Sequence, residues 1–305
     1  MPCSTWRRAD TVPIHTESLL NFPIPEVRQH LRWQDTALYA LSLGAAQDPM
    51  DAAELRFVTE GPDMLALPTM AVVLGYPGFW LRDPRTGVDA LRLVHGEQSV
   101  EIHAPLPVEG KLVGRSRVTG LVDRGPGKGA LLYSERVIVE AATGAKLATL
   151  GQTTFLRGDG GFGGPSGPVK KPAPEPEGVP DLVVDLPTRP EMALLYRLNG
   201  DHNPLHSDPG IAAKAGFTRP ILHGLATFGV VGRALLRGAC GGDPARFGAM
   251  ECRFSAPVFP GETIRTEIWR GAEAMAFRAR VIERDVVVVG NGRLRLRPEA
   301  HAHRE

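Results

Sequence analysis

The segment Leu225 to Leu236 (LATFGVVGRALL) is apolar nearly all round, and its single charge is Arg233. A helix with that pattern has no face to offer water and must be enclosed by other structure. The chain that follows can supply the enclosure. Along Thr263 to Arg270 (TIRTEIWR), Ile264, Thr266 and Ile268 alternate with Arg265 and Glu267. Phe277, Ala279 and Val281 alternate with Arg278 and Arg280, and Leu294 and Leu296 with Arg293, Arg295 and Arg297. Period-two patterning with one charged face marks half-buried antiparallel strands. A buried helix followed by such strands implies a sheet wrapped around a helix.

The first half repeats this order loosely, in its elements rather than its residues. Asp35 is placed to cap a helix over Thr36 to Leu43, where Leu38, Tyr39, Leu41 and Leu43 give apolar surface. Strand-like runs follow at Ser99–His103, Lys111–Leu121, Leu131–Glu140 and Leu147–Phe155. Between the halves, Gly158 to Pro180 (GDGGFGGPSGPVKKPAPEPEGVP) is dominated by Gly and Pro. Such a segment buries too little surface to offset its ordering entropy, and its prolines hold it extended. A chain of 305 residues also exceeds the usual single core. We therefore expect an α+β protein made of two copies of one unit, over residues 1–157 and 181–305, with a linker at 158–180.

Composition removes several functional classes. With 43% hydrophobic and 23% charged residues, the chain is that of a soluble globular protein. A formal net charge of +1 gives no global field to attract nucleic acid or a membrane surface, although it leaves room for a local basic pocket. Cys3, Cys240 and Cys252 are scattered without metal-ligand spacing and read as free thiols in a reducing compartment. The N-terminus lacks the continuous apolar core of a secretory signal. The longest apolar stretch, Ala66 to Leu81, is interrupted by Pro68, Gly75, Pro77 and Gly78, which argues against a membrane span. The final His-Arg-Glu is not a peroxisomal address of the Ser-Lys-Leu type. The expected location is the cytoplasm.

The chemistry concentrates in YRLNGDHNPLH, Tyr196 to His206, which continues through Ala215-Gly-Phe to Pro220-Ile-Leu-His-Gly224. Gly200, Asp201, Asn203 and Pro204 are turn formers, so the chain bends here. The bend brings a carboxylate (Asp201), an amide (Asn203) and an imidazole (His206) onto one constrained loop, enough to hold and deprotonate a water. Two plainer readings stand beside this one. Asp and Asn in such turns commonly bond their own backbone. A metal site from Asp201, His202, His206 and Asp208 is also conceivable, though no second ligand cluster lies near it in sequence.

The pattern Tyr-x-x-x-Gly-Asp-x-Asn-Pro-Leu-His, followed by Ala-Gly-Phe and Pro-Ile-Leu-His-Gly, resembles the hydratase-2 motif of the MaoC-like dehydratases, the R-specific 2-enoyl-CoA hydratases. The resemblance extends over DTALYALSLGA (35–45), ELRFVTEG (54–61), LPTMAVVLG (67–75), HGEQSVEIHAPLP (95–107) and RFSAPVFPGETIRTEIW (253–269). It implies a double hot-dog fold and syn hydration of a trans-2-enoyl-CoA to the (3R)-3-hydroxyacyl-CoA. Asp201, Asn203 and His206 match the family's catalytic trio, and Gly224 matches the donor to the thioester oxygen, its N–H standing at the positive end of the buried helix. The first half lacks the motif and is expected to be catalytically silent, accommodating the acyl tail and part of CoA. There His95 and Gly96 match a substrate-contacting pair, and Arg124, with Lys128 as near alternative, falls where the family places a base for the CoA phosphates. Phe254 matches another CoA contact, although core packing or a solvated loop would equally explain Phe254 and Arg124.

No organic cofactor or metal is implied beyond CoA as part of the substrate. No Gly-x-Gly-x-x-Gly opens a βαβ unit, which argues against a dehydrogenase. An acyl-CoA thioesterase on the same fold, or a non-catalytic acyl-CoA-binding homologue, are the rivals, and the intact Asp201-x-Asn203-x-x-His206 block argues against both. Unpaired sheet edges and family analogy suggest a homodimer. His301 and His303 read as part of a polar tail, and His223 as a brace for the loop.

Overall fold

Alternation in the sequence becomes ten antiparallel strands in a computed structural model that describes residues 14–298. Those of the first half are β1 (Val27–Leu31), β2 (Leu93–Ile102), β3 (Gly110–Asp123), β4 (Ala130–Glu140) and β5 (Lys146–Leu156). The second half adds β6 (Leu182–Pro187), β7 (Phe247–Phe254), β8 (Thr263–Trp269), β9 (Met275–Val281) and β10 (Val286–Leu296). The apolar members of the alternation face inward. Ile264, Ile268, Phe277, Ala279, Val281 and Leu294 are all fully buried. Their charged neighbours face out and pair across strands, as Arg265 does with Asp185 of β6 and Arg278 with Glu267.

The order across the sheet is β1-β3-β4-β5-β2-β7-β10-β9-β8-β6. Counted outward from the central β2–β7 pair, each half presents its strands in the same sequence, so the loose repeat of elements is a repeat of topology. The double hot-dog expectation holds, with one addition. The two five-stranded sheets are joined edge to edge, Glu97 opposite Arg253 through Glu101 opposite Ala249, into one continuous ten-stranded sheet.

Six α-helices accompany it: α1 (Thr16–Leu20), α2 (Trp33–Ser42), α3 (Ala52–Leu55), α4 (Met192–Tyr196), α5 (Pro209–Lys214) and α6 (Gly224–Gly238). The last is the enclosed helix foreseen at Leu225–Leu236. It lies against β6, β7 and β8, with Phe228, Val231 and Leu235 wholly buried, each contributing about 1.5–3 kcal/mol. Its buried charge, Arg233, is neutralised inside the protein. The guanidinium donates to Glu54 of the first half at 2.5 Å and to the Leu43 carbonyl.

In the first half the counterpart of α6 is a single 3-10 segment, Pro68–Val73, packed against β2, β5 and α6 itself. It can approach α6 because a β-carbon on Gly232 would lie 2.3 Å from Thr69 Cγ2. It ends where Gly75, in the left-handed region, passes over Gly114 of β3 so closely that a β-carbon on either would strike the other's backbone. Two further 3-10 turns, Trp80–Arg82 and Pro84–Thr86, and α1 close that end of the half around a separate small core of Leu19, Leu81, Leu121, Leu132 and Leu156. The helix expected at Thr36–Leu43 starts earlier, at Trp33. Asp35 is not its cap but its third residue, where the carboxylate accepts from the Arg32 backbone N–H and side chain.

Between β5 and β6 the chain has no regular element, in keeping with its Gly and Pro content. It is ordered by hydrogen bonds rather than burial. The Asp123 carboxylate at the end of β3 accepts from the N–H groups of Gly125, Gly161, Gly163 and Gly164. Further on, Lys170 pairs with Glu251, and Asn291 donates to the Ala173 carbonyl. No helix is long and apolar enough to cross a membrane among the described residues.

Candidate active site

The bend after α4 forms as its residues dictate. Gly200 takes a left-handed conformation that ends the helical run, and the Asn203 side chain accepts from Leu205 N–H to start a 3-10 turn over Pro204–His206. The turn sends His206 inward, where it is buried, while Asn203 and His202 remain exposed. His206 Nδ1 lies 2.9 Å from the Ile221 carbonyl. A carbonyl can only accept, so the proton sits on Nδ1 and Nε2 carries a free lone pair. Burial holds the His206 pKa below its ordinary value, so the ring is neutral at neutral pH.

His223, the residue before α6, completes the cluster. Its ring lies against that of His206 with centroids 3.8 Å apart, and its Nε2 donates to the Asp201 backbone carbonyl at 3.2 Å. Burial, and then the neighbouring His206, push its pKa down to about 4. Its Nδ1 is shut from solvent without a hydrogen-bond partner. Asp201 has one carboxylate oxygen on the Asn203 N–H at 3.1 Å, which turns the group toward the imidazoles. Asp201, His206 and His223 each offer an atom within 4.8 Å of the others, the spacing of groups that share one water.

The sequence therefore located Asp201 and His206 together but read His223 only as a brace. Its neighbourhood to His206 arises from the fold, which returns α6 beside the loop. Asn203 has its oxygen committed to the turn, leaving only its Nδ2 as a donor for a water. The alternative metal set does not assemble: Asp208 caps α5, accepting from Gly210 and Ile211 N–H, and His202 faces solvent. A divalent cation, if one bound, would find its ligands at Asp201, His206 and His223 instead.

Gly224 is the first residue of α6, and its N–H is one of those no helical turn can satisfy. Nothing in the protein's packing requires glycine there, because a β-carbon would meet nothing closer than 3.8 Å, the Phe254 ring. Phe254 in turn stands edge-on to His95 of β2, with ring centroids 5.0 Å apart. His95 and Gly96 lie at an irregularity of β2, and burial pushes the His95 pKa down to about 4. Phe254 is thus brought beside the start of α6 with His95 against it, and Gly96 follows His95 on β2. Arg124 is not. It is exposed in the β3–β4 hairpin, over the Phe155 ring at 5.7 Å, with Lys128 exposed in the same hairpin. The sequence read Tyr39 only as apolar helix surface and gave no role to Tyr76, Arg136 or the buried hydroxyl of Tyr196. Tyr196 opens the motif and lies 5.0 Å from the His223 ring, a position that motif spacing alone could have flagged.

Residues 171–291 match the model of the MaoC like domain, and residues 30–158 match the MFE-2 hydratase 2 N-terminal domain. A 3-hydroxyacyl-thioester dehydratase Y of Mycobacterium tuberculosis is 43% identical, over 83% of this chain and 87% of that protein. The chain belongs to the MaoC-like hydratase 2 family. A peroxisomal enoyl-CoA hydratase 2 of Arabidopsis thaliana is 40% identical to this MaoC-like chain, over 90% of it and 93% of the plant protein. A MaoC-like dehydratase structure from Phytophthora capsici superposes with a TM-score of 0.82 at 35% identity, over 93% and 99% of the two chains. A Mycobacterium tuberculosis structure described as a double hotdog fold has a TM-score of 0.55 at 18% identity, covering 90% and 93%, and bears on the fold alone.

Proposed function

We propose that this protein catalyses the reversible syn hydration of trans-2-enoyl-CoA to (3R)-3-hydroxyacyl-CoA in fatty-acid or related acyl-CoA metabolism, with Asp201 and His206 as its catalytic pair. The observation that carries the reading is the convergence of the Asp201 carboxylate and the unprotonated His206 within 4.8 Å on a chain of this family. One water held between them loses a proton as its oxygen adds to C3, and a proton is returned to C2 on the same face. Asn203 Nδ2 helps hold the water. The double bond is electrophilic only through conjugation with the thioester, so negative charge grows on the carbonyl oxygen. The Gly224 N–H, at the positive end of α6, receives that charge.

His95, Gly96 and Phe254 contact the thioester and pantetheine end of the substrate, and Arg124 supplies a cation to the CoA phosphates. CoA enters as part of the substrate, and no metal or separate cofactor is needed for the chemistry. Cytoplasmic residence and a homodimeric state remain part of this proposal.

The test is to mix the purified protein with trans-2-enoyl-CoA esters of graded chain length, follow loss of the conjugated enoyl absorbance, and resolve the product chirally. The 3R-hydroxyacyl-CoA is expected. Asp201→Asn and His206→Gln should each lower kcat by about 10²–10⁴-fold with a smaller change in KM. Release of free CoA, or undiminished turnover in both variants, would overturn the assignment.

A further inference from the structure

The inner face of β4 runs Ala130, Leu132, Ser134, Arg136, Ile138. Its two ends belong to different apolar cores, Ala130 and Leu132 to the small one and Ile138 to the large one. Between them the face is polar, and the register carries that polarity across the neighbouring strands. Ser116 of β3 lies opposite Arg136, and Gln152 of β5 lies opposite Ser134. Thr154 follows on β5, accepting from the Gln152 amide at 3.0 Å, and stands opposite His95 of β2. A polar stripe thus crosses the inside of the first half, from the substrate-facing His95 to Arg136. The equivalent strand of the second half, β9, has no such break: Phe277, Ala279 and Val281 are buried and apolar.

Arg136 is the unusual member. Its Nη2 donates to the Val72 carbonyl at 2.5 Å, at the end of the short 3-10 segment that replaces a long helix. Its Nε is shut from solvent and has no hydrogen-bond partner. Among the described residues no carboxylate pairs with it. Its side chain lies over the Tyr76 ring at 5.4 Å. Burial lowers its pKa to about 10, which leaves it a cation at neutral pH. On the other side of the site, the Tyr196 ring lies 5.0 Å from His223, which clusters with Asp201. A partly buried cation with no carboxylate partner is costly to keep, and its own orphaned Nε donor compounds the cost. An incoming anion would relieve both.

Given the hydratase reading, on which this rests, we propose that the first half is a specificity pocket for enoyl thioesters whose acyl chain ends in a carboxylate, with Arg136 receiving that carboxylate. An unsubstituted alkyl tail would leave the stripe and the guanidinium unsatisfied. A carboxylate reaching Arg136 would accept from Nε, the guanidinium donor that has no partner in the protein, in a charge-assisted hydrogen bond.

The test compares trans-2-enoyl-CoA esters of matched length ending in methyl or in carboxylate, over short, medium and long chains, on the intact protein and on Arg136→Leu and Arg136→Lys. Carboxylate esters should be preferred in kcat/KM by about tenfold or more at the length that reaches Arg136, with the difference lying mainly in KM. Arg136→Leu should reverse the order, and Arg136→Lys should keep part of the preference. Should a variant not fold, saturated methyl- and carboxylate-ended acyl-CoA esters are compared as competitive inhibitors of the unaltered protein, the carboxylate form being expected to bind more tightly. Hydration of all esters with no carboxylate preference, or one that survives in Arg136→Leu, overturns this proposal alone. Failure to hydrate any ester, methyl-ended included, overturns the hydratase reading and this one with it.

Discussion

The base proposed here must offer a free lone pair on a neutral ring, and His206 owes both to its surroundings. The Ile221 carbonyl fixes the proton on Nδ1, and burial resists a second one. The acidic limb of the activity profile should therefore lie below the ordinary histidine pKa of about 6.5. A limb at or above that value would show that His206 is not the titrating base. His95 and His223 extend the argument to stability. Both are held down to about 4, so an unfolded chain binds protons at these rings that the folded one refuses. Their stabilisation is complete above about 6.5 and is lost as pH falls toward 4, with a slope approaching about 2.7 kcal/mol per pH unit for two protons. Urea denaturation across that interval measures it, and a flat profile would refute the burial argument. Gly224 allows a separate check. Since a β-carbon there meets only the Phe254 ring at 3.8 Å, Gly224→Ala should leave stability within about 0.5 kcal/mol while kcat/KM falls about tenfold or more. Parallel losses in both would make the glycine structural. Residues such as Asp201 and His206 were legible because a short loop holds them close in sequence. His223 and Arg136 were not, since their neighbours come from other elements.

At the scale of elements, alternation exposed the strands and all-round apolarity exposed α6, since both follow from which faces meet water. What stayed hidden is the pairing. Nothing local distinguishes β2 and β7 as the strands that meet in the middle, and nothing in LPTMAVVLG announces a 3-10 segment in place of a helix. Arg233 looked like a blemish on an apolar helix and is instead a clasp between halves, reaching Glu54 and the Leu43 carbonyl. With its side chain only 5% exposed, it depends on that partner. Glu54→Ala should lower unfolding stability by about 3–5 kcal/mol in denaturant titration, by leaving the guanidinium buried and unpaired. Replacing Arg233 as well, in Glu54→Ala/Arg233→Met, should restore much of the loss. No recovery in the double variant would mean that the Arg233 stem, and not its charge, matters.

Over the whole molecule, the β2–β7 seam, the packing of Pro68–Val73 on α6 and the Arg233 clasp all join the same two halves. The chain should therefore unfold in one cooperative step, with tryptophan fluorescence and far-ultraviolet circular dichroism giving coincident transitions in denaturant. Separate midpoints would show that the halves are independent. The shared strand order also means that the two halves stand side by side as copies, and only the second carries the Asp201 loop. On the proposed mechanism, one copy works and the other is idle, which separates reactivity from substrate choice. The second half is constrained by its reaction. The first, relieved of a long helix, would then be free to change its lining residues, and with them the acyl groups the protein accepts, without disturbing the Asp201 loop.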